Sequence, residues 1–92
     1  MSMPTMKLPT AHQLSRVSKV VLGKWYTCVD YEGNDLPTAV AAFALRTPFY
    51  ECVNHLGGHV WVKPNEFREI NSENAARITP RAKAELKRQR KA

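Results

Sequence analysis

The chain lacks a long hydrophobic run. Its longest, Ala39 to Leu45, falls far short of the about 20 residues that a membrane-spanning helix needs, so no membrane association is expected. The start, Met1-Ser2-Met3-Pro4-Thr5, has neither the basic residues nor the apolar stretch of a secretory signal. Cysteine is scarce: Cys28 and Cys52 are too few for a disulfide framework. With no export signal both are expected to stay reduced, and the expected location is cytoplasmic. The four glycines form neither a G-x-x-x-x-G-K-[ST] loop nor a G-x-G-x-x-G fingerprint, which excludes the common nucleotide-binding loops. His12, His55 and His59 stand beside no recognisable nucleophile and the acids are scattered. The chain is therefore not expected to be an enzyme, and no cofactor is expected.

Net charge is also missing from most of the chain. Up to Ala76, seven Lys/Arg face seven Asp/Glu; from Arg77 onward, seven Lys/Arg face Glu85 alone. The whole excess of +6 thus sits in the last sixteen residues. A neutral body with a cationic end calls for a polyanionic partner, or else is a solvated tail.

Local signals divide the rest. Residues 1–9 read as a flexible arm, and Thr10 with Gln13 forms a capping-box start for a helix carrying Leu14, Val17 and Val21, ended by Gly23. Trp25 to Tyr31 is rich in aromatic and β-branched residues and reads as a strand, followed by a turn at Glu32–Asp35. Pro37 suits the first turn of a second helix with Val40, Phe43 and Ala44 inward. Thr47-Pro48 repeats a cap-and-proline signal, and Phe49, Cys52, Val53 and Leu56 recur at helical spacing before Gly57-Gly58. His59 to Val62 reads as a strand. Asn65 to Asn74 is a polar loop or a single helical turn anchored by Phe67 and Ile70, and Ala75 to Ile78 is a candidate return strand. Thr79-Pro80 opens a last helix with Ala82 and Leu86 inward, and residues 89–92 form a frayed basic tail.

The segment Leu36 to Leu56, with small Ala41 and Ala42 between two apolar-faced helices, resembles a helix-turn-helix. With the strand, loop and last helix that follow, residues 10–88 resemble the winged helix-turn-helix family. The resemblance implies an α+β fold: three to four helices with a short β-hairpin, plus the basic C-terminal tail. It also implies a small DNA-binding protein, a transcriptional regulator reading double-stranded DNA with helix 48–56. By position, Tyr50, Glu51, Asn54 and His55 would face base edges, with Thr47 at a phosphate. Lys63 and Arg68 would form the wing contacts, and Arg77, Arg81, Lys83, Lys87 and Arg88 would anchor the backbone. A homodimer is the expectation from class. The runner-up is a winged-helix interaction protein, bacterial or phage-encoded, that inhibits a host protein such as part of the transcription machinery. Glu51, and the absence of any cation on the reading helix, favours it.

Two weaker constellations remain. Cys52, His55 and His59, with Cys28 as a fourth donor, have zinc-like spacing but no C-x2-C pair, and Cys52 shares a face with Phe49 and Leu56. Trp25, Tyr26, Tyr31 and Trp61 suggest a stacking platform for single-stranded nucleic acid on a small sheet, but alternation makes half of such residues core by default, and the favoured reading is structural, with Trp61 and Trp25 closing the core.

Overall fold

A computed structural model describes residues 14–91. The arm over 1–9, the Thr10–Gln13 capping box, His12 and Ala92 lie outside the described residues. The expected winged helix-turn-helix is not present. The described residues form a five-stranded antiparallel sheet with two helices: β1 (Trp25–Cys28), β2 (Val40–Arg46), β3 (Phe49–Asn54), β4 (His59–Val62), β5 (Phe67–Arg68), α1 (Ser72–Ala75) and α2 (Pro80–Lys91). The strand order is β4-β3-β2-β1-β5. A short 3-10 turn, Pro64–Glu66, leads from β4 into β5.

Both presumed helices of the motif are strands. The expected turn between them is the Thr47-Pro48 hairpin, whose peptide bond is cis. The reason lies in how the sheet is covered. Val40 and Ala42 of β2 face one core with Cys52 of β3, while Ala41 and Val53 face a second core under α2. A strand buried on both faces loses its period-two alternation. The consecutive buried pairs Ala41–Ala42 and Cys52–Val53 then imitate helical spacing. The aromatic and β-branched content of Phe49-Tyr50-Glu51-Cys52-Val53 was the stronger signal.

The larger core holds Tyr26, Cys28, Val40, Ala42, Cys52, Val62 and Phe67, closed by Val17, Val20, Leu36, Tyr50 and Val60. Tyr26 and Tyr50 each meet the Phe67 ring nearly at right angles. Leu14 to Val21, expected as helix, instead runs over this core; Arg16 bridges to Arg68 beside β5, and Val21 N–H donates to the Tyr26 hydroxyl. Gly23 does take a positive φ of 88°, as its lack of a Cβ allows, but it ends no helix.

The second core seats α2. Thr79 Oγ1 accepts from Ala82 N–H at 3.1 Å, the side-chain cap expected from Thr79-Pro80, and Ala82 and Leu86 point onto Ala41 and Val53 with Trp25, Phe43 and Ile78 around them. Helix α2 continues to Lys91, into the residues 89–92 expected as a frayed tail. The expected return strand Ala75–Ile78 is absent: α1 occupies Ser72–Ala75, its start capped by the Asn71 side chain on Asn74 N–H. Asn74 is buried and donates to Thr27 Oγ1 at 2.9 Å, which pins α1 to β1. No helix among the described residues is long and apolar enough to cross a membrane.

Candidate functional site

The contacts of α2 show which part of its sheet face it covers. Thr79 bonds the His55 carbonyl, Arg81 lies against Gly57, and Glu85 reaches His59. The helix therefore crosses β3 and β2, from the β3–β4 turn to Gly23 before β1, where Arg90 lies. It leaves Trp61 of β4 uncovered, 53% exposed. Register places Glu51 opposite Trp61 and Arg46 opposite Phe49, so all four side chains share the face that bears α2.

On that open end Phe49 and Trp61 pack edge to face, ring centroids 6.3 Å apart, and Trp61 is 53% exposed. The Lys63 amine sits 6.0 Å from the Phe49 centroid, a cation over an aromatic face. Arg46 flanks the pair, its Nε donating to Glu51 Oε1 at 2.8 Å while more than half of its side chain stays exposed. Arg88 is bonded twice to Glu85, at 2.9 Å each. Lys83, Lys87 and Lys91 are exposed on α2, while Arg81 and Arg90, also exposed, lie against Gly57 and Gly23. The result is an aromatic platform rimmed by cations, with a basic helix alongside.

Between platform and helix lies an ionic row. His59 Nδ1 is 3.1 Å from Glu51 and Nε2 is 2.7 Å from Glu85. The Arg88 bonds, then those of Gln89 and His59, pull the Glu85 carboxyl down to about 2. The Arg46 bond, outweighing partial burial and joined by His59, lowers Glu51. His59 is raised, first by its bond to Glu85 and then by Glu51, against a smaller opposing effect of burial.

The residues singled out from sequence are not gathered into one reading surface. Thr47 forms the hairpin turn. Tyr50 faces the larger core rather than solvent, lining a shallow groove with Leu45, Pro48 and Pro64 at the hairpin end. Asn54 is spent on its own loop, accepting from Leu56 and Gly58 N–H at 2.9 Å each. His55 Nδ1 shares a hydrogen bond with Thr38 Oγ1, and Arg77 binds Asn74 Oδ1. Arg68 donates to the Asn65 and Phe67 carbonyls within its own turn. Of these, Glu51 and Lys63 stand at the platform; Arg88 holds Glu85, and Arg81, Lys83 and Lys87 precede it on α2. Reading duplex DNA through helix 48–56 falls with that helix, and the dimer and inhibitor readings built on a winged helix fall with it.

The zinc-like set is dispersed. Cys28 and Cys52 are buried free thiols of the larger core, while His59 lies on the opposite face. Among the described residues no group of three His, Cys, Asp or Glu side chains could hold a metal. Of the four aromatics considered for stacking, Tyr26 is buried at 1% exposure, Trp25 packs against α2, and Tyr31 stands on the Asp30–Asn34 turn. Trp61, expected to close the core, instead faces outward on the sheet, because His59, Trp61 and Lys63 alternate onto a part of the face that α2 does not cover. Its partner Phe49 and the flanking Arg46 were missed, because their proximity depends on the β2–β3–β4 register. The alternation His59, Trp61, Lys63 was the available signal. No family model, curated protein or solved structure matches this chain.

Proposed function

We propose that this protein is a binding module for single-stranded RNA and carries out no chemical step of its own. The observation behind this reading is Trp61: a large aromatic, half exposed on a sheet face, buttressed by Phe49 and flanked by Arg46 and Lys63. Unpaired bases offer π-faces that stack on such a residue for about 1–3 kcal/mol per base, whatever the base. Duplexes keep their bases stacked internally, whereas RNA loops and ends present them splayed out. The cations of α2 would follow the phosphates, each neutralised phosphate steepening the salt dependence by about 0.7 in log–log slope. Two free cysteines suit a reducing cytoplasm as the place of action.

Fluorescence anisotropy with a labelled oligouridine, the matching single-stranded DNA and a blunt RNA duplex tests this. The reading predicts binding of the oligouridine in preference to the duplex, weakened about tenfold by W61A. Equal binding of duplex and single strand, indifferent to Trp61, contradicts it. A preference for the DNA strand would move the ligand to single-stranded DNA and overturn the RNA assignment.

A further inference from the structure

His59 stands between two carboxylates. Its Nδ1 lies 3.1 Å from Glu51 Oε2 on β3 and its Nε2 lies 2.7 Å from Glu85 Oε2 on α2. An ionised carboxylate only accepts hydrogen bonds, and a neutral imidazole has one N–H to give. Both contacts are satisfied together only by the imidazolium. The remaining groups around the ring fit this charge. Arg46 of β2 holds the other oxygen of Glu51, Arg88 and Gln89 of α2 hold Glu85, and the Phe43 ring of the β2 bulge lies 5.2 Å from the imidazole centroid. The row Arg46–Glu51–His59–Glu85–Arg88 therefore carries three cations and two anions when His59 is protonated, and balances when it is not.

We infer that His59 is a proton-operated latch on the proposed RNA platform, tying α2 to the sheet and adding one positive charge beside Trp61 when protonated. The inference rests on the RNA reading for its ligand and on the double carboxylate contact for its chemistry. His59 and Trp61 alternate on one face of β4, about 7 Å apart along the strand. At that separation a unit charge near the surface alters the affinity of a phosphate chain about three- to tenfold. Loss of the proton leaves a ring nitrogen lone pair facing a carboxylate oxygen, so one of the two ties must open. Linkage requires the reverse effect as well: a bound phosphate chain holds the proton on His59 more tightly.

The test is a ring-nitrogen NMR titration of the full chain, alone and with oligouridine, beside anisotropy from about pH 5.5 to about pH 8.5. The latch predicts that both His59 nitrogens stay protonated above the ordinary imidazole value of 6.5. It also predicts that oligouridine raises the titration midpoint further, and that affinity falls about three- to tenfold with rising pH. H59Q, which keeps a neutral amide in place, flattens that dependence, and His55 serves as the internal control because it remains in the variant. E85Q brings the ring midpoint back toward the ordinary value even if H59Q folds poorly. A ring that titrates at or below 6.5, or an H59Q variant with undiminished pH dependence, overturns the latch. Oligouridine that fails to bind at any pH overturns the RNA reading and the regulation of it. In that case the ring titration separately reports whether the carboxylate tie exists.

Discussion

Phe49 and Trp61 meet edge to face across the β3–β4 pair, 6.3 Å between centroids, on the end of the sheet face that α2 leaves open. The contact holds the indole at a fixed angle while more than half of it stays in water. An aromatic that is both exposed and braced loses little freedom when a base stacks on it, and this favours binding.

Trp61→Ala is therefore expected to separate binding from folding. Oligouridine affinity should drop by about 1–3 kcal/mol. Unfolding in urea should shift by less than about 1 kcal/mol, because the residue is half exposed and closes neither core. Anisotropy and a urea titration on the same preparation check both halves.

Stability should depend on pH on both sides of a plateau. The folded value of His59 is raised above 6.5, so its contribution is complete below 6.5 and is lost as pH climbs through that higher value. Glu85 is depressed from 4.5 to about 2, so its contribution is complete above 4.5 and is lost as pH falls toward about 2. Glu51 is lowered too and acts in the same direction as Glu85. Urea midpoints should be highest between these limits, and H59Q should flatten the alkaline limb while only softening the acid limb, since Arg88 and Gln89 still hold Glu85 and Arg46 still holds Glu51.

Asn74→Ala should be among the more damaging single changes. The side chain is 5% exposed, donates to Thr27 Oγ1 and to the Leu36 carbonyl, and accepts from Arg77 Nε. Leaving buried partners short of a hydrogen bond costs about 1–3 kcal/mol. Because Thr27→Val removes the same Asn74–Thr27 bond, along with its own bond to the Thr38 carbonyl, the double variant should lose less than the two single losses added, which a double-mutant cycle in urea would measure.

Both thiols should be inert in the native state. Burial, with Glu66 nearby, pushes Cys28 up to about 11; burial, then Cys28 and Glu51, pushes Cys52 up to about 12. Because the thiolate is the reactive form, a thiol reagent near neutral pH should modify neither until the chain unfolds. Mass spectrometry with and without urea checks this, and modification of the native protein at the rate of a free thiol would contradict it.

How legible the chain was depended on whether a segment faces water. Helix α2 has a hydroxyl cap, a proline at its first turn and Ala82 and Leu86 one turn apart, and each signal is local. Strand β4 kept its alternation because it lies at the sheet edge, with His59 and Trp61 outward and Val62 buried. Strands β2 and β3 lost theirs between two cores, and Thr47-Pro48 is as good a hairpin turn as it is a helix start. Strand β5 has two residues and exists because β1 offers Thr27 and Cys28 as partners, which nothing local announces. Of the platform, Trp61 and Lys63 could be marked as outward from the β4 pattern. Phe49, Arg46 and the Glu51–His59–Glu85 row needed the register and the path of α2.

The most direct test of the RNA reading uses Trp61 as its own reporter. The chain has two tryptophans, so W25F leaves Trp61 as the single emitter. Titrating W25F with oligouridine while recording emission and iodide quenching shows whether a base covers the indole. The account predicts quenched emission and protection from iodide that saturate together with binding measured by anisotropy. Saturable oligouridine binding with an unchanged, still iodide-accessible Trp61, or no binding at all, would contradict it.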